Sequence, residues 1–248
     1  KSTLRFEPGC IISPLYAAAI NERTSGTITV KVLTADGELL AEDTAEVALL
    51  AFNECDFGLR PENLAAFVTK SAAIRSLGAL IDKKLADWKR GKTAFYAGCD
   101  RNDVRYYFAA AYSVLGEQSI VKAETDGAMD ILISSHEEIL KNKTATEPEL
   151  ALLFASLLET AGIHCVLGRI AGEWYVGAFL TDECFGSAVV DDASGIINRT
   201  RRGVNEMSLV PVSGITDGVN FESAERRAGI DALWRRSSIL SGAAGRIR

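Results

Sequence analysis

The chain has 248 residues, of which 48% are hydrophobic and 24% charged, and its net charge is −6. That balance excludes a disordered or fibrous chain, and the acidic charge excludes a nucleic-acid surface spread over the whole molecule. The length allows one large domain or two small ones at roughly 100–200 residues each, and no apolar run approaches the ~20 residues that span a bilayer.

From the N-terminus, residues 1–25 could supply a strand. Residues 26–34 alternate and are rich in β-branched side chains, which predicts a strand. Ala35-Asp36-Gly37 marks a turn, and residues 38–50 return as a second strand. A lone hairpin is marginal in water, so this one is expected to lean on the rest of the chain or on material upstream. After Asn53 the pattern becomes helical. Pro61 opens one helix-like stretch, and Ile74, Leu77, Ile81, Leu85 and Trp88 form the stripe of another. Val104, Phe108, Ala111 and Leu115 mark a helix over 100–115.

The clearest helix signal is at Thr146. Thr146 suits an N-cap, Glu149 stands three residues on as in a capping box, and Pro148 lies in the first turn. The helix runs through an apolar stretch to Gly162, a natural C-terminal glycine. Strands are predicted over 164–170 and 174–180, joined at Ala171-Gly172-Glu173, with a short third strand over 188–191 and a last helix over 221–236. Helices beside an antiparallel meander make an α+β fold. The expected division is a β-rich portion over 1–58, part of a sandwich-like region, and a helix-plus-sheet domain over 59–248.

The five cysteines, Cys10, Cys55, Cys99, Cys165 and Cys184, are scattered, and there are only two histidines. Clustered ligands for structural zinc are missing. With no secretory leader recognisable, this cysteine usage fits a reducing cytoplasm. Lys1 is not a natural start, so the chain reads as an excised piece. From Arg199 onward there are nine Arg, no Lys and five acids, a local charge of +4. This is either a solvated face or a docking surface, and Arg199, Arg201, Arg202, Arg226 and Arg227 are its candidate contacts. Arg235-Arg236 lie nine residues beyond Arg226-Arg227, so the pairs do not form one tight stripe. No phosphate-loop motif occurs.

The helix over 150–162, the segment Gly172-Glu173-Trp174-Tyr175-Val176-Gly177 and the segment Val189-Val190-Asp191-Asp192-Ala193 together resemble transglutaminase-like domains of the papain-like superfamily. The likeness is to the version found N-terminal to large bacterial helicase–nuclease proteins. Ser13-Pro14-Leu15-Tyr16, residues 38–42, 49–52 and 64–69 resemble the region preceding that domain. The resemblance implies a transglutaminase-like core of helices on a small antiparallel sheet. It implies a nucleophilic Cys at the N-terminus of the central helix, where unpaired N–H groups and the helix dipole favour a thiolate. A His on a following strand would take the proton, and an Asp would orient the His.

This chain departs from that pattern where the chemistry lies. The nucleophile position is Glu147 and the His position is Glu173, and only the Asp survives, at Asp191 or Asp192. No Cys occurs between Cys99 and Cys165, and no His after His164, so a shift in register restores neither residue. The chain therefore reads as a pseudoenzyme, an interaction or regulatory module of a larger bacterial protein, with a link to DNA metabolism implied by resemblance alone. Neither cofactor nor metal is expected. The partners expected are other domains of the parent protein, with nucleic acid at the Arg-rich part as a further candidate, and no membrane.

Several alternatives stay open. Glu147 has an ordinary role, since a carboxylate at a helix N-terminus is stabilised by about 0.3–1 kcal/mol. If Glu147, Glu173 and Asp191 converge instead, they need a cation, a shared proton or an Arg, and Arg169 is the nearest in sequence. Mg²⁺ or Ca²⁺ would suit such oxygen ligands. The rival function is a hydrolase or acyltransferase using these carboxylates, or Cys99 with His136 as its base. Cys165 is expected in the core and His164 at a strand edge. Trp174, if it faces the groove, fills space a substrate would need.

Overall fold

The computed structural model describes residues 13–56, 61–91, 95–96, 100–124, 130–170, 172–190, 192, 194–201 and 203–229. In chain order the elements begin with α1 (Pro14–Ala18), β1 (Thr24–Leu33), β2 (Leu39–Leu49) and β3 (Glu54–Asp56). After a 3-10 helix (Pro61–Phe67) come α2 (Ala72–Asp87), α3 (Arg101–Glu117), β4 (Val121–Lys122), β5 (Asp130–Leu132), α4 (His136–Asn142) and β6 (Thr144–Ala145). The chain continues through α5 (Glu147–Thr160), β7 (Cys165–Ile170), β8 (Glu173–Phe179) and α6 (Ser194–Thr200). It closes with β9 (Met207–Pro211), α7 (Ser213–Thr216) and α8 (Phe221–Ala228). The fold is mixed helix and strand with small sheets, in the α+β class. Among the described residues no single helix is long and apolar enough to cross a membrane.

The chain forms two compact units, one of residues 1–55 with 130–132 and one of residues 56–129 with 133–248. The first is built on the β1–β2 hairpin, antiparallel from Thr24↔Leu49 to Leu33↔Leu39, with an irregularity at Val32/Leu33. Alternation gives the ribbon two chemically different faces. Thr27, Thr29 and Lys31 lie opposite Glu46, Thr44 and Glu42, and the Lys31–Glu42 pair closes to 3.4 Å. Ile28, Val30 and Val32 lie on the other face and are exposed. At the base, Arg23 Nε donates to Glu54 at 2.8 Å and the Phe52 amide donates to the Ile20 carbonyl at 2.8 Å. The expected strand within residues 1–25 is not there in the described part: Pro14–Ala18 is helical, and residues 1–12 lie outside the described residues.

The second unit is organised around α5. This helix is buried continuously from Pro148 to Leu158, so it is hydrophobic all round and packs on every side. It lies on β7 and β8 and against α2 and α3. Phe108 of α3 stacks on Phe154 of α5 at 5.0 Å, and Phe221 of α8 meets Phe108 edge-on at 5.5 Å. The helix starts as its sequence predicts. Thr146 Oγ1 accepts the Glu149 amide at 3.4 Å, and the Glu149 carboxylate accepts the Thr146 amide at 2.8 Å. Glu149, buried, also accepts the Ser134 amide at 2.7 Å.

The sheet is three-stranded and antiparallel, in the order β7-β8-β9. Strands β7 and β8 pair from Cys165↔Ala178 to Ile170↔Glu173, and Gly172 at the connection has φ +85°, a value that strains other residues. The third strand is β9, not the predicted stretch over 188–191. Of that stretch only Val190 makes an isolated bridge, and Asp191 lies outside the described residues. Met207–Pro211 is buried on both faces and short, a pattern that periodicity cannot separate from other apolar runs. The last helix ends at Ala228, and residues 230–248 lie outside the described residues.

Candidate functional site

Two adjoining positions carry the site expected from the sequence: the N-terminus of α5 and the start of β8. Glu147 is the first residue of α5, with Thr146 as its cap. The short parallel pair β4–β6 sets Lys122 opposite Ala145, two residues before Glu147. Lys122 Nζ therefore reaches Glu147 Oε1 at 2.7 Å. The hydrogen bond and charge of Glu147 raise the Lys122 pKa. The other oxygen, Oε2, accepts the backbone N–H of Trp174 at 3.3 Å. Glu147 thus ties the start of α5 to the start of β8.

Glu173 is held by a different set of groups. Tyr175, two residues along the same strand, lies on the same face, and its hydroxyl donates to Glu173 Oε2 at 2.9 Å. Ser213 Oγ at the start of α7 donates to Oε1 at 2.8 Å, and Arg227 of α8 donates to the same oxygen at 2.6 Å. The carboxylate therefore fastens β8 to two helices that lie 40 and 54 residues further along the chain. Trp174 projects from the opposite face of the strand and is buried. The Trp174 carbonyl accepts the Val212 amide at 2.9 Å.

The two carboxylates meet different groups, although Glu147 bonds the amide of the residue that follows Glu173. Each has its own cation. Lys122 pairs with Glu147 and Arg227 with Glu173. Arg169 lies on β7 opposite Trp174. Asp191 lies outside the described residues. Asp192 serves α6 locally, accepting the Ser194 amide at 2.9 Å and the Ser194 hydroxyl. Those bonds lower its pKa. Among the described residues no group of three His, Cys, Asp or Glu is arranged to hold a metal ion.

The described thiol and imidazole candidates each have local partners. Cys99 lies outside the described residues. His136 is buried at the first position of α4, with Nε2 3.4 Å from the Ser156 hydroxyl of α5. Burial lowers its pKa. Cys165 is only half-buried rather than a core residue, and its Sγ and amide both approach Glu159 Oε1, at 3.3 and 3.2 Å. His164 precedes β7, stacks on Tyr96 at 5.1 Å and meets Asp182 at 3.3 Å. Burial raises the Tyr96 hydroxyl well above its ordinary pKa.

The arginine candidates divide between two fates. Arg199 lies over the Phe185 ring at 5.1 Å, between Glu183 and Glu206 at 3.8 and 3.9 Å. Arg227 is taken up by Glu173. Arg201 and Arg226 are exposed and line a common cleft, and Arg202 lies outside the described residues. Sequence reasoning missed Lys122, Ser213 and Arg227 as partners of the two carboxylates. Only Tyr175 carried a usable signal, since residues two apart on a strand share a face. Compared with family models, with curated proteins and with solved structures, the chain has no match in any of the three.

Proposed function

We propose that the second unit is a non-catalytic, transglutaminase-like module that works as an interaction or regulatory part of a larger bacterial protein. One observation carries this reading. The positions that a thiol mechanism requires hold Glu147 and Glu173, and both carboxylates are engaged in internal contacts. A carboxylate held by a lysine and a backbone amide is a poor nucleophile and has little room to take a proton. Trp174, which follows Glu173, is buried, and its backbone N–H is held by Glu147, which supports the same reading. The link to DNA metabolism rests on the sequence resemblance alone.

The test is an acyl-transfer and amide-hydrolysis assay of the full chain with activated esters and a primary amine. No turnover above buffer is expected. Turnover abolished by Glu147→Gln or Glu173→Gln would establish the rival carboxylate enzyme, and turnover abolished by Cys99→Ala would establish the thiol version.

A further inference from the structure

The second unit contains a cleft of about 1050 Å³ formed by the first turns of α3, the segment around residues 200–209 and α8. Four arginines line it, Arg101, Arg105, Arg201 and Arg226, against two carboxylates, Asp100 and Glu225. The carboxylates already have partners. Glu225 accepts Arg105 Nε at 3.1 Å, the Arg105 terminal nitrogen, and the Ser208 hydroxyl. Asp100 caps α3, accepting the Asn102 amide at 3.3 Å and its side chain at 3.0 Å.

Of the four arginines, only Arg105 has a carboxylate partner among the described residues. Arg101 and Arg226 hydrogen-bond to neutral groups, and the charge of Arg101 also acts on the neighbouring Asp100 carboxylate. Arg101 donates through one nitrogen to the carbonyls of Val204 and Asn205, at 2.9 and 3.4 Å. Arg226 donates to the Glu222 carbonyl at 3.2 Å and to Ser223 Oγ at 3.1 Å. Arg201 opens the turn in which Gly203 has φ +93° and Asn205 φ +47°. Beneath them the lining is apolar and buried, formed by Leu180, Met207 and Leu209.

Four guanidinium groups against two carboxylates leave a net charge of +2 over an apolar floor, which reverses the sign of charge locally in a chain whose net charge is −6. That contrast selects the size of the ligand. A long polyanion would run beyond the ~8 Å screening length at physiological salt and meet the acidic remainder of the surface, whereas a small anion inside the cleft senses mainly the arginines. The volume matches small-molecule sites, which run to roughly 1,000 Å³. The planar fork of arginine matches phosphate oxygens better than an ammonium does. We propose that this cleft binds a small organic phosphate, its phosphoryl oxygens on Arg101, Arg201 and Arg226 and its body against Leu180, Met207 and Leu209.

The test is calorimetric titration of the full chain with ATP in magnesium-free buffer, with inorganic pyrophosphate, and with a short DNA duplex. Saturable one-to-one binding of ATP is expected, with pyrophosphate weaker because it lacks the body. Arg201→Gln and Arg226→Gln should each weaken ATP binding about tenfold, the scale of one lost charged hydrogen bond. Arg75→Gln, exposed on α2 and outside the cleft, should leave it unchanged. Both cleft arginines are exposed, so the variants should fold, which circular dichroism checks. Absence of saturable ATP or pyrophosphate binding in the millimolar range would overturn the proposal. So would equal losses in Arg75→Gln, or binding of the duplex alone, which would make the arginines a polyanion surface instead.

Discussion

Replacing Glu173 by alanine tests whether this carboxylate is a structural fastening or a relic of chemistry. Its side chain is 12% exposed, whereas that of Arg227 is 42% exposed. Loss of the carboxylate therefore strands the donors Arg227, Ser213 and Tyr175 unequally. Arg227 turns to water, and an exposed ion pair contributes only about 0.2–1 kcal/mol. Ser213 and Tyr175 are buried and cannot follow. A buried donor left without its acceptor costs about 1–3 kcal/mol. Summed with allowance for relaxation, Glu173→Ala should cost about 3 kcal/mol. In a domain of this size that lowers Tm by roughly 6–12 °C, at 2–4 °C for each kcal/mol. Glu173→Gln keeps a carbonyl acceptor in place and should cost only about 1 kcal/mol, the ion-pair share. Thermal melts by circular dichroism, repeated as urea titrations, read both values. An unchanged or raised Tm in both variants would refute the reasoning, because residues kept for chemistry commonly cost stability and their removal restores it.

Other elements give independent expectations. Thr146→Ala removes the cap of α5 and should cost about 1 kcal/mol in the same melts. Leu153→Ala, at a fully buried position of that helix, should cost about 2–5 kcal/mol by urea denaturation, since the packed surroundings cannot collapse into the space. His136 makes stability fall with acid. Burial depresses its folded-state pKa below the unfolded value of about 6.5, so the unfolded chain takes up the proton first. Its contribution is intact above that value and is lost as pH falls towards the folded pKa, at a slope of at most about 1.4 kcal/mol per pH unit. Urea midpoints at a series of pH values should lose part of this slope in His136→Gln; an identical slope would assign the acid sensitivity to other groups.

What could be read from the sequence alone was local. Thr146, Pro148 and Glu149 announce the start of α5 because capping and first-turn preferences act within four residues. The hairpin of β1 and β2 is legible because alternation and the turn at Asp36-Gly37 are both short-range signals. The α+β class follows from a strong apolar helix beside paired strands. The glutamates at positions 147 and 173 and the uneven distribution of arginine need only the order of residues.

The tertiary structure decided which groups meet. The third strand came from Met207–Pro211 rather than from residues 188–191, because a short strand buried on both faces has no alternation to reveal it. Glu147 took Lys122, and Glu173 took Ser213 and Arg227, through a two-residue parallel bridge and two helices far along the chain. Charges so distant in sequence leave no periodic trace. The arginine-rich segment likewise split, with Arg199 and Arg227 absorbed internally while Arg201 and Arg226 joined Arg101 and Arg105 across more than 90 residues of sequence at one cleft. Sequence sets which charges a chain carries; packing sets which of them are cancelled.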